Sequence, residues 1–183
     1  MNKFILPGLI SLFLIGCTST PKTVDLTRYE FVHPSMGSLF KVVVYASDSM
    51  KVRAHVEESF QELDSLNLIM SDYIPNSELM QLSRSSGSGE FVKVSEDLKD
   101  ILTLSQFWYD WSGGVFDVTI GPVTQLWRRA KRQGTLPERK YFDRAMAAVG
   151  FDLVELDPDH GILLQESNMQ LDLGGIAKGY AVD

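Results

Sequence analysis

Between Val52 and Ile69, apolar side chains return every three or four residues: Val52, Val56, Phe60, Leu63, Leu66 and Ile69. That period lines one face of an α-helix, and so apolar a face must be covered by other parts of the chain. Asp48 or Ser49 serves as its N-cap. Around this helix the pattern alternates. Residues 29–32 and 40–45 read as strands, separated by a turn-rich loop over 33–38. Residues 70–78 break the helical period, and 91–94 read as a short strand. Ser95 then caps a second amphipathic helix with Leu98, Ile101, Leu102, Ser105, Trp108 and Tyr109 on one face, and Gly113-Gly114 ends it. Residues 116–120 are apolar and partly β-branched, and Gly121-Pro122 opens a helix through Leu126 and Trp127. Residues 141–149 read as helical with Gly150 as the stop. Residues 153–156 and 162–165 flank Asp157-Pro158-Asp159-His160-Gly161 as a hairpin, and 169–173 form a last strand before Gly174-Gly175 and a helix start. Strands and helices that alternate this irregularly predict an α+β fold, a mixed sheet with amphipathic helices packed on it.

Residues 1–16 stand outside that pattern. Lys3 precedes an apolar run from Phe4 to Ile15, and Gly16-Cys17 follows. The run is short of the ~20 residues that span a bilayer and reads as a cleaved export signal. A cysteine directly after the small residue matches a bacterial lipobox, so Cys17 is the expected lipidation site, carrying a diacylglycerol and an N-acyl chain such as palmitate. An ordinary signal with a chance cysteine is the plainer alternative. The expectation is export across the inner membrane and lipid anchoring on the periplasmic side, to the inner or outer membrane, with 17–27 as a polar tether and 28–183 as the folded domain. Cys17 is the single cysteine, so disulfides and cysteine metal sites are excluded.

Without residues 1–16, sixteen basic side chains face twenty-four acidic ones, a net charge of −8. That balance argues against nucleic acid, whose phosphates need clustered cations. The one basic run, Arg128-Arg129-Ala130-Lys131-Arg132, reads as a solvated helix end. The chain stops at Asp183 within what reads as a helix, and the expectation is a truncated open reading frame with the domain incomplete at its C-terminus.

Three segments carry residues that packing alone does not demand. In Leu171-Asp172-Leu173-Gly174-Gly175-Ile176-Ala177-Lys178, a strand delivers Asp172, two glycines permit close backbone approach, and a helix begins. Helix N-termini expose unpaired N–H groups that suit phosphate, and glycine carbonyls suit a hard cation. The same turn also serves as a plain structural device. Asp117, inside the apolar segment after Gly113-Gly114, needs hydrogen bonds, either as a local cap or on a ligand's polar edge. Tyr73 on the loop beside Pro75 offers a flat face to a heterocycle, or simply covers the domain edge. His33, His55 and His160 read as solvated or structural.

The order of these motifs is more specific than any one of them. Met36-Gly37-Ser38, Met70-Ser71-x-Tyr73-x-x-x-Ser77-Glu78, Gly113-Gly114-x-Phe116-Asp117-x-Thr119-x-Gly121-Pro122 and Asp172-Leu173-Gly174-Gly175-Ile176-Ala177-Lys178-Gly179-Tyr180-Ala181 together resemble the ApbE family, the FAD:protein FMN transferases. The resemblance runs from Tyr29 to Asp183 and implies a T-fold-like mixed sheet. It implies FAD contacts at Met36, Tyr73, Val115, Phe116, Asp117, Asp172 and Lys178, with Asp117 on the adenine end; that the Lys178 ammonium offsets pyrophosphate charge is an inference from its charge and not from the resemblance. It implies a magnesium ligand in the Gly175 carbonyl. The family's other magnesium ligands, an Asp pair and a Thr, and a FAD-contacting His belong to a C-terminal half beyond Asp183, and no catalytic base is identified. The implied reaction, expected only of the full-length protein and not of this chain alone, moves FMN from FAD onto a threonine of acceptor flavoproteins, subunits of membrane redox complexes among them, with release of AMP. Three alternatives stay open: a magnesium-dependent FAD pyrophosphatase, a lipoprotein that binds FAD without turnover, and an inactive fragment.

Overall fold

The computed structural model describes residues 25–183. The signal, Cys17 and most of the tether lie outside the described residues. No helix among the described residues is long and apolar enough to cross a membrane.

Strands β1 (Thr27–Ser35) and β2 (Ser38–Ala46) pair antiparallel, with Phe31 opposite Val42 and Ser35 opposite Ser38. The expected loop over 33–38 is therefore a two-residue turn, and His33, Pro34 and Ser35 belong to the ladder. Met36 and Gly37 both take positive φ, 48° and 69°, the twist that closes a tight hairpin without splaying its strands. Helix α1 (Ser49–Met70) starts at Asp48, whose side chain accepts from the Met50 and Lys51 N–H groups. Val56, Phe60, Leu63 and Leu66 are buried as anticipated, Val52 and Ile69 are only half-buried, and Met70, expected beyond the helix, is its last buried residue.

Helix α2 (Glu78–Arg84) has no counterpart in the periodicity, because seven residues give too short a window and only Leu79 and Leu82 mark its inner face. Ser77 caps it, accepting from Met80 N at 3.1 Å. The Glu78 carboxylate accepts from Ser95 N and Oγ at 2.5 and 2.6 Å, tying α2 to the start of α3 (Glu96–Ser112). On α3, Leu98, Ile101, Leu102 and Ser105 are buried, but Trp108 is 39 % exposed and leaves the expected face. Gly113 ends the helix in the left-handed conformation.

Residues 116–120, expected as a strand, instead bend through a turn at 118–119, and 169–173, also expected as a strand, meets them only through one parallel bridge, Ile120 to Gln170, and through Asp172 N donating to Val118 O at 2.7 Å. Helix α4 (Gly121–Gln133) follows with Pro122 in its first turn, then α5 (Arg139–Met146), shorter than expected at its C-terminal end. The second hairpin, β3 (Val154–Asp157) and β4 (Gly161–Leu164), forms as anticipated, and Val92 bridges to Ile162 in place of a strand over 91–94. Helix α6 (Ala177–Tyr180) is a single turn. The fold is α+β, with its sheet content in two antiparallel hairpins and isolated bridges.

Two apolar clusters hold these parts together. The larger gathers Leu79, Leu82, Leu98, Ile101, Leu102, Phe151, Ile162, Leu164, Met169, Leu171 and Leu173. The smaller sits under the β1–β2 hairpin, where Val56, Phe60 and Leu63 meet Phe31, Phe40, Val42 and Val44. Met36 and Ala181 touch both clusters.

Candidate functional site

Four parts of the chain meet at a cavity of about 440 Å³, within the ~300–1,000 Å³ range of small-molecule sites. The hairpin tip contributes Met36 and Gly37, and the end of α1 with its following loop contributes residues 70–74. Helix α4 adds Arg128, and the last motif adds Asp172, Leu173, Gly174, Ala177 and Lys178.

The loop after α1 is shaped by its own serines. Ser71 Oγ accepts from Tyr73 N at 3.2 Å and Ile74 N at 3.3 Å, while the fully buried Ser77 donates its hydroxyl to Ser71 O at 2.5 Å. This leaves Tyr73 73 % exposed, with the Arg128 guanidinium carbon 4.3 Å from its ring centroid. Arg128 also donates from Nη1 to Asp72 and from Nη2 to Asp172 Oδ2 at 3.0 Å. Burial pushes the Asp72 carboxyl above its usual range, and nearby Asp172 adds to this while Arg128 opposes it. For Arg128, burial works against the charge, but the two carboxylates and Tyr73 outweigh it and raise its pKa further.

The final motif differs from its sequence reading in one respect. Asp172 Oδ1 accepts from Gly174 N at 2.9 Å, and Leu173 O accepts from Ile176 N and Ala177 N. Those N–H groups, expected to be open to phosphate, are already engaged, and a one-turn helix adds little dipole. Arg128 is held by Asp72 and Asp172, which leaves the exposed Lys178 as the cation this end of the cavity offers to an anion.

Met36, Tyr73, Asp172 and Lys178 thus share one cavity, whereas Val115, Phe116, Asp117 and Gly175 do not line it. Val115 is 88 % exposed. Phe116 packs toward the neighbouring turn, since a Cβ on Gly175 would come within 3.3 Å of Phe116 Cε2. Asp117 Oδ1 accepts from Thr119 N at 2.8 Å and Thr119 Oγ1 at 2.6 Å, and Thr119 Oγ1 in turn accepts from Gly150 N. Asp117 is therefore the local cap that its position in an apolar segment allowed. None of the three histidines lines the cavity; His33 stacks on Phe60 and bonds Asp64.

No three His, Cys, Asp or Glu side chains converge as a metal site among the described residues. The cavity's two carboxylates already face Arg128, and Gly175 lies on an exposed turn. The residues present do not by themselves make up a magnesium site.

Arg128 and Asp72 are the participants that the sequence reading missed. In the basic run, Arg129, Lys131 and Arg132 are solvated as expected, but Arg128 points inward to pair. A usable signal existed at Asp172, which lies between Leu171 and Leu173 and so requires a cation or donors, whereas Asp72, between Ser71 and Tyr73, carried none.

Fold and site together define an α+β protein whose cavity suits a flat, anionic small molecule, with one exposed ring and a charge-balanced wall. The chain belongs to the ApbE family, whose model matches residues 36–183. It is 28 % identical to the FAD:protein FMN transferase of Treponema pallidum (strain Nichols), over 96 % of this chain and 50 % of that protein. It is also 28 % identical to the FAD:protein FMN transferase of Escherichia coli (strain K12), over 94 % and 51 %. The ApbE protein of Thermotoga maritima superposes with a TM-score of 0.75 at 24 % identity, over 86 % of this chain and 50 % of that one. The flavin transferase ApbE of Vibrio cholerae gives 0.74 at 22 %, over 86 % and 52 %. The chain spans about half the length of the curated relatives it matches.

Proposed function

We propose that this chain carries the FAD-recognition part of an FAD:protein FMN transferase. The observation that carries the reading is convergence: Met36, Tyr73, Asp172 and Lys178, from separate stretches of sequence, border one cavity. Each has a role suited to a flavin dinucleotide. The open face of Tyr73 stacks a planar ring, the Met36 thioether packs against its edge, Asp172 accepts a hydrogen bond from it, and Lys178 offsets phosphate charge. Val115, Phe116 and Asp117 lie outside the cavity and contact a ligand longer than it, with Asp117 toward the adenine end. In the reaction, an acceptor threonine oxygen forms a bond to the FMN-side phosphorus, the pyrophosphate P–O bond breaks, and AMP leaves with its bridging oxygen. The hydroxyl proton passes to a base that the described residues do not identify. Magnesium, with Gly175 as one ligand, belongs to the proposal through the family resemblance, and no step is derived through it.

Export, lipid anchoring at Cys17 and acceptors among subunits of membrane redox complexes complete the reading, supported by the leader sequence and the family. Loss of lipid labelling in Cys17→Ala tests the anchor. The central test mixes the chain with FAD, magnesium ions and an acceptor flavoprotein subunit, and follows flavin fluorescence on the acceptor after denaturing electrophoresis. FMN bound covalently to threonine supports transfer; free FMN with AMP makes the protein a pyrophosphatase; FAD binding without turnover makes it a binding module. FAD affinity unchanged by Tyr73→Ala and Asp172→Ala refutes the shared pocket.

A further inference from the structure

The contacts proposed for FAD give Arg128 no part. Its guanidinium is engaged three ways: Nη1 donates to Asp72, Nη2 donates to Asp172, and its plane lies over the Tyr73 ring. Asp72 and Tyr73 belong to the loop after α1, Asp172 to the final motif, and Arg128 to α4 between them in sequence. The Asp72 and Asp172 side chains are only 10 % and 12 % exposed, so their mutual repulsion is poorly screened without a cation between them. A planar fork satisfies two carboxylates and an aromatic face at once; an ammonium does not.

Stability alone is a weak reason for such a network, because desolvating three charges offsets most of their attraction. Nor does it lie in either apolar cluster. All four side chains line the cavity. What the network supplies is geometry: the Tyr73 ring and the Asp172 carboxylate, from separate segments, are fixed relative to each other by one guanidinium.

We propose that Arg128 is a positioning residue, holding the Tyr73 ring and the Asp172 carboxylate at a set separation so that the ligand meets a preformed stacking face and acceptor. This rests on the flavin reading above. Arg128 acts without touching the ligand, by removing the ordering cost of both segments before binding.

The test uses the full 183-residue chain in detergent, with Arg128→Lys, Arg128→Gln and Arg128→Ala. Quenching of FAD fluorescence reads affinity, and amide hydrogen exchange over 71–77 and 172–175 reads order without ligand. The expectation is roughly tenfold weaker FAD binding in both the Lys and Gln variants, with faster exchange in both segments. Added guanidinium ion partly restores binding in Arg128→Ala. Retention of charge in the Lys variant separates positioning from simple attraction, and guanidinium rescue separates it from misfolding. A Lys variant with wild-type affinity and exchange overturns the role of Arg128 while leaving the flavin site standing. A wild-type chain that fails to quench FAD overturns the flavin reading and this proposal with it.

Discussion

Replacing Gly121 by alanine sets two physical effects against each other. Gly121 is the first residue of α4, where helix propensity favours alanine by up to ~1 kcal/mol. Yet an added Cβ would lie 2.3 Å from Gln170 O and 2.6 Å from Gln170 C, both backbone atoms in the partner of the Ile120 bridge. Ordinary contact begins near 3.4 Å, so about 1 Å of backbone movement is required, and overpacking of this kind costs ~1–3 kcal/mol. Loss of the adjoining backbone hydrogen bond, Asp172 N to Val118 O, adds ~1 kcal/mol. Close approach therefore outweighs propensity, and the net expectation is a destabilisation of roughly 1–3 kcal/mol. For a domain of this size that lowers Tm by roughly 2–12 °C, read by thermal unfolding followed by circular dichroism. Because the displaced segment carries Asp172, FAD affinity should fall at temperatures where the variant is still folded. A Gly121→Ala chain as stable as the parent, or more so, refutes the close-approach argument.

Two further outcomes follow from the same geometry. Thr119→Val keeps shape but removes the hydroxyl that donates to Asp117 and accepts from Gly150 N at 2.7 Å, so a loss of ~1–3 kcal/mol in urea unfolding with an unchanged m-value is expected. At the β3–β4 turn, the Asp157 carboxyl is held below its usual range, first by the His160 and Asp159 amides and then by the His160 ring. Its folded pKa being lower than its unfolded one, its contribution is present above about pH 4 and disappears as pH falls through the depressed value. The acid limb of a stability–pH profile should accordingly be shallower in Asp157→Asn; identical acid limbs would count against the turn.

The elements legible in the sequence are those in which one face is buried over several repeats. Helix α1 repeats its stripe from Val56 to Met70, and β3–β4 alternates across a turn of Asp, Pro and Gly. The illegible ones lack repetition. Helix α2 is held by Ser77 and by the Glu78–Ser95 tie, which no period reports. Residues 116–120 and 169–173 have strand-like composition because they are buried, yet each finds only a single bridge. In the site, Tyr73 and Asp172 are legible through motif context, whereas Arg128 hides in a basic run whose other charges face water. Its distinction is orientation on α4, which depends on tertiary packing.

The hairpin that contributes Met36 rests on its own small cluster under β1–β2, apart from the larger core that holds most of the cavity's other walls. An isolated two-stranded ribbon is marginal in water, so this one borrows its order from α1. Through His33 and Ser35, both bonded to Asp64, the helix also fixes where the ribbon's tip stands, so a change on the inner face of α1 would shift Met36 at the cavity rim without touching the cavity itself.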